Sequence, residues 1–134
     1  MVKDAISCST KGEEMIIAVD FDGVIAEYDG WRGRGIFGKP VVGVSQGLAF
    51  LRGNGHKIMV YTCRAEIDEV EKYLKKCGIP YDYINHCPEN DKQNLHPAKQ
   101  YADVYIDDRG VCFNGKWDND FLDAVMNFRP WGKK

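Results

Sequence analysis

Three stretches of the chain are apolar almost without interruption, and each gives way to polar or acidic residues. Residues 15–19 (MIIAV) lie between Glu13-Glu14 and Asp20. Residues 56–62 (HKIMVYT) follow Gly55, and residues 103–106 (DVYI) run into Asp107-Asp108. Short continuous apolar runs are the mark of strands buried on both faces, as in parallel sheets. Residues 81–84 predict a fourth, shorter strand. Between the runs the apolar spacing turns helical. Ser45 is placed to cap a helix over 45–52, with Leu48 and Leu51 on one face. Ile67, Val70, Tyr73, Leu74 and Cys77 share a face over 67–77, closed by Gly78 and Pro80. A last helix over 121–128 is capped by Asp118 or Asn119, with Trp117, Phe121, Leu122, Val125 and Phe128 as its packed face. Residues 98–102 predict a single helical turn.

The remaining segments read as connections. Residues 28–40 (YDGWRGRGIFGKP) form a loop or a short β-excursion, and residues 85–97, with Pro88 and Pro97, form a polar loop. Residues 111–113 followed by Asn114-Gly115 suggest a small hairpin. Residues 1–14 are a polar leader, and 15–134 are one domain. Alternation of strand and helix predicts an α/β fold with a mostly parallel central sheet, in which ligands sit at the carboxyl ends of the strands.

Composition narrows the function classes. The 134 residues are 44% apolar and 28% charged, with a net charge of −2. That supports a real core, and it argues against extended nucleic-acid contact or attraction to an anionic membrane. No apolar run approaches the length of a membrane span, and the N-terminus lacks a secretory apolar region. Five cysteines without a CxxC pair read as reduced thiols in a cytoplasmic protein. His56, His86 and His96 lack the spacing of a zinc site.

The chemistry lies in the acids. Asp20 and Asp22 follow the first strand, and Asp107 and Asp108 follow the third. Parallel neighbouring strands would bring all four carboxylates to one sheet edge, where like charges oppose one another until a hard cation such as Mg²⁺ intervenes.

Asp20-Phe21-Asp22-Gly23 resembles the first motif of the haloacid dehalogenase-like (HAD) hydrolase superfamily. Val60-Tyr61-Thr62-Cys63-Arg64 resembles its second motif, Lys99 its third and Ile106-Asp107-Asp108 its fourth. The resemblance covers about residues 15–113. It implies a three-layer Rossmann-like sandwich and a Mg²⁺-dependent phosphomonoester phosphatase working through an aspartyl-phosphate. Asp20 would be the nucleophile and Asp22 the acid and then the base. Thr62 would bind a phosphoryl oxygen, and Lys99 would set an ammonium against Asp20, with Lys92 a rival for that role. Asp20, Asp22 (through its carbonyl), Asp107 and Asp108 would serve the metal.

Gly23 would let the backbone approach the phosphoryl group. Cys63 and Arg64, beside the second motif, and Arg32 and Arg34, in the 28–40 loop, are candidates for contact with substrate. Strand alternation makes Cys63 a core thiol. Trp31 and Phe37 either pack the loop down or stack on substrate, and Trp131 ties down the terminus or meets a partner. Family members often carry a cap domain. The 39 residues between Asp22 and Thr62 and the 36 between Thr62 and Lys99 are used by the predicted elements, whereas a cap needs on the order of 50 residues of its own. The expectation is therefore an uncapped, open site for a small phosphorylated molecule or an exposed phosphate of a larger one, with room for a second subunit in a homo-oligomer. The alternatives are a phosphatase or phosphotransferase on nucleotide or nucleic-acid ends, and a non-catalytic binding module.

Overall fold

The computed structural model describes residues 13–131, so most of the expected leader lies outside it. The elements are β1 (Ile16–Asp20), α1 (Val44–Gly53), β2 (Lys57–Tyr61), α2 (Ile67–Lys76), β3 (Tyr83–Ile84), α3 (Pro88–Lys92), β4 (Val104–Ile106) and α4 (Asn119–Met126). The four strands form one parallel sheet in the order β3-β2-β1-β4. The architecture is Rossmann-like α/β, and no described helix is long and apolar enough to cross a membrane.

Alternation along β1 and β2 divides the core between two faces. Ile17 and Val19 lie on one face with Ile58 and Val60. There they meet Leu48 of α1 and Val70 and Leu74 of α2. Ile16, Ala18 and Met59 lie on the other, against Cys87 and Ala102. Polar side chains finish the lower edge of the sheet. Asp82 Oδ2 accepts from the Ile58 N–H at 2.8 Å, Asp103 Oδ2 from the Ile16 N–H at 2.8 Å, and His56 Nδ1 from the Met15 N–H at 3.1 Å. Each satisfies a strand-end donor that would otherwise be orphaned near the core.

Several expectations require correction. Ser45 does not cap α1; the N-cap is Gly43, at φ 85° with no side-chain bond, because the chain reverses there through a left-handed residue. Residues 85–97 contain α3. Pro88 opens it, where a missing N–H costs nothing, and buried Asn90 holds it through Gln100 Oε1 at 2.7 Å. Residues 98–102 form no helical turn, the chain turning at 97–98 and then running irregularly into β4, and 111–115 form no hairpin. Phe113, Trp117 and Phe121 instead stack on one another, with centroids 5.1 to 5.4 Å apart. Asp118 caps α4, accepting from the Phe121 N–H at 3.0 Å. The predicted packed face of that helix is not buried: Leu122 and Val125 stay exposed, and no residue of α4 is enclosed.

Candidate active site

The parallel register delivers the acids to one place. Asp20 ends β1, and β4 pairs beside it through Val19 and Ile106, so Asp107 and Asp108 leave the sheet next to Asp20. One carboxylate oxygen from each of the three residues lies within 4.8 Å of the others. Asp20 Oδ1 accepts from the Phe21 N–H at 2.9 Å. Even so, burial, followed by the charges of Asp107 and Asp108, pushes the Asp20 carboxyl up to about 7. Asp107 Oδ1 accepts from the Arg109 N–H at 2.8 Å. Asp108 Oδ1 is enclosed without a hydrogen-bond partner.

Gly23 stands at φ 91°, and a Cβ there would run into the Asp108 carboxylate. The close approach that requires glycine is thus to Asp108. The Gly23 carbonyl accepts from the Trp131 indole N–H, so Trp131 ties the end of the described chain to the acidic turn.

The Asp22 side chain lies outside the acid cluster. Its oxygens accept from Arg64 Nε at 2.7 Å and Nη2 at 3.0 Å, a two-pronged pair. Arg64 Nη1 reaches Glu66 Oε2 at 2.9 Å, and Nη2 reaches the Ile36 carbonyl at 3.2 Å. The guanidinium carbon lies 4.9 Å from the Trp31 ring centre and 4.6 Å from that of Phe37. Burial works against its charge, yet the bonds to Asp22 and Glu66 outweigh this and raise its pKa. The Gly35 N–H, against burial and with help from Arg64, holds Glu66 down at about 2.

Thr62 follows β2 and is held by a residue the sequence did not flag. Asn85, at φ 58°, accepts from the Thr62 N–H at 2.7 Å and donates to the Thr62 carbonyl at 2.8 Å. Its amide thus continues the ladder past β3, in a left-handed conformation that asparagine tolerates. The available signal was an asparagine directly after a predicted strand.

A cavity of about 450 Å³ is lined by Asp20, Thr62, Cys63, Asn85, Asp107 and Arg109, among others. Cys63 is exposed there, which corrects its expected place in the core. β2 ends at Tyr61, so strand alternation no longer governs it. Lys99 is exposed and does not line this cavity, although Ala98 and Gln100 do. Lys92 lies 3.8 Å from Glu89, on α3. The structure therefore brings neither lysine into ion-pair contact with Asp20.

The 28–40 loop closes on itself at its base, where Ala26 bridges Pro40 and the Glu27 N–H donates to the Lys39 carbonyl. Gly38 is required there, since a Cβ would overlap the Glu27 carbonyl. Phe37 anchors the loop edge-on to Phe21 and Tyr73, at 5.4 and 5.2 Å. Trp31 remains 60% exposed. Arg32 pairs with Asp29 at 2.9 Å, and Arg34 lines a second cavity with Asp22 and Trp31.

No family model matches the chain, and no curated protein matches it. A solved structure described as a conserved protein coded by locus from Bacteroides thetaiotaomicron is similar, at 26% identity and a TM-score of 0.62. The match covers 85% of this chain and 90% of that one.

Proposed function

We propose that the chain is a Mg²⁺-dependent phosphomonoester phosphatase of the HAD-like type, built as a three-layer sandwich without a cap. The observation that carries this reading is the convergence of Asp20, Asp107 and Asp108 within 4.8 Å at the carboxyl ends of adjacent parallel strands. The donor set suits a small hard cation: three carboxylates, an unpartnered Asp108 oxygen, and an Asp20 whose neighbours oppose its ionisation. Asp20, Asp107 and Asp108 would hold Mg²⁺, which when bound neutralises phosphoryl oxygens and favours ionised Asp20.

The chain's own residues then divide the work. One Asp20 oxygen would attack phosphorus as the ester P–O bond breaks, and Asp22, on giving up one arm of the Arg64 fork to take a proton, would pass that proton to the departing alkoxide. Asp22 next takes a proton from water, whose oxygen attacks the aspartyl-phosphate and releases inorganic phosphate. Arg64 is a positioning residue, since its fork fixes both Asp22 oxygens. Asn85 holds the Thr62 backbone in place, and Thr62 and Arg109 line the cavity that would receive the phosphoryl group. The free thiols of Cys63, Cys77, Cys87 and Cys112 fit a reducing compartment such as the cytoplasm.

The exposure of Lys99 favours a second reading, a module that binds metal and phosphate without turnover. A phosphate-release screen over small phosphomonoesters, with Mg²⁺ or EDTA, separates the two. Release that needs both Mg²⁺ and Asp20, and is lost in Asp20→Asn, supports the phosphatase. Mg²⁺ binding with no release from any compound supports the module.

A further inference from the structure

A second cavity, of about 300 Å³, adjoins the first at Cys63, which lines both. Asp22 also lines it, together with Tyr28, Trp31 and Arg34. Under the phosphatase reading, on which this inference rests, the leaving oxygen must meet Asp22. The rest of the alcohol then extends into the space that Asp22 borders.

The walls of that space have a definite chemistry. The Arg64 guanidinium lies over the Trp31 ring at 4.9 Å and covers one face of the indole, while the residue as a whole stays 60% exposed. An exposed aromatic ring is a stacking platform for another planar ring. The charges around it are matched, apart from one. Arg64 satisfies Asp22 and Glu66, and Arg32 is taken by Asp29. Among the described residues, Arg34 is exposed with no ion pair. A cavity near 300 Å³ is at the small end of ligand sites, which suits a single compact ligand rather than a polymer. We propose that this cavity is the leaving-group subsite and that it selects a planar-ring alcohol bearing a second anionic group, of the nucleoside bisphosphate type. Trp31 would stack on the ring, and Arg34 would take the second anion.

The test compares kcat/KM for a nucleoside 3′,5′-bisphosphate, the matching monophosphate and glycerol phosphate, in wild type, Trp31→Phe, Trp31→Ala and Arg34→Gln. The ratio of ring to glycerol substrate is the readout, because any disturbance of Asp22 through Arg64 acts on both and cancels. Wild type prefers the ring compounds. Trp31→Ala lowers that preference about tenfold, on the scale of base–aromatic stacking, and Trp31→Phe keeps most of it. Arg34→Gln removes the preference for the bisphosphate over the monophosphate, about tenfold, and leaves the ring preference standing. Ratios unmoved by Trp31→Ala, or a wild type that prefers glycerol phosphate, would overturn the proposal. If no compound is hydrolysed, the phosphatase reading fails, and calorimetric binding of the intact bisphosphate decides the subsite. Binding weakened by both substitutions upholds the ligand class, and absence of binding to wild type ends it.

Discussion

Replacing Asp20 by Asn tests whether the acid cluster is an electrostatic liability that a cation relieves. In the folded chain burial and two neighbouring acids hold the Asp20 proton to about pH 7, against 3.8 ordinarily. The stability tied to that proton is fully present below 3.8 and is lost as pH rises towards 7. At 1.36 kcal/mol per pH unit the span is worth about 4 kcal/mol, and partial exposure of the carboxylate to solvent reduces this to about 2. Asparagine cannot ionise and still offers an oxygen to the Phe21 N–H. In EDTA at pH 8, Asp20→Asn should therefore be more stable than wild type by about 2 kcal/mol, or roughly 6–10 °C in Tm for a domain of this size. Near pH 4 the difference should be nearly gone. Mg²⁺ at a hundred times its Kd adds about 2.7 kcal/mol to the wild type alone and brings it level with the variant or above it. Thermal melts followed by circular dichroism, at both pH values and with EDTA or Mg²⁺, give all four numbers. Equal melting of the two proteins at pH 8 in EDTA, or equal stabilisation of both by Mg²⁺, would refute the reasoning.

Other substitutions probe the surrounding supports. Arg64→Met leaves buried Glu66 and half-buried Asp22 without their cation and should cost about 3–5 kcal/mol in urea unfolding. Arg64→Lys should lose part of that, because a point charge cannot replace the fork or the ring contacts. Asn85→Ala removes both bonds to the Thr62 backbone and places alanine at φ 58°, so about 1–3 kcal/mol should be lost. Asn85→Gly, which relieves the backbone conformation, separates the two contributions. Gly23→Ala drives a methyl into the Asp108 carboxylate and should weaken Mg²⁺ binding by at least tenfold in calorimetric titration.

The parallel sheet was legible because its strands are short apolar runs buried on two faces, and the three strand-end acids followed from it. α3 was not, since PENDK has no apolar period; its helix depends on Pro88 and on Asn90 buried against Gln100. The 111–115 hairpin failed for the opposite reason. The turn chemistry was present, but Phe113 found its partners in Trp117 and Phe121 instead of a cross-strand neighbour. The Asp22–Arg64 pair spans 42 positions and depends on the β1–β2 register, which sets Asp20 opposite Tyr61. Composition and periodicity carry no register between distant strands. Cys63 was misplaced because alternation was extended two residues past the end of β2.

The three clustered acids stand on supports of unequal strength. Asp20 ends a strand whose first four residues are buried, whereas Asp107 and Asp108 hang from an edge strand in which Val104, Tyr105 and Ile106 are all exposed. An edge so thinly covered should part from the sheet by local opening, well before β1 and β2 come apart. Amide exchange would register the difference: β4 protons should be lost early, and those of Ile17 and Val19 only with global unfolding. A cation shared between Asp20 and the two acids beyond β4 would bind across that seam. The protection of β4 would then rise with Mg²⁺ concentration, and the ion would act as a latch on the sheet's own edge.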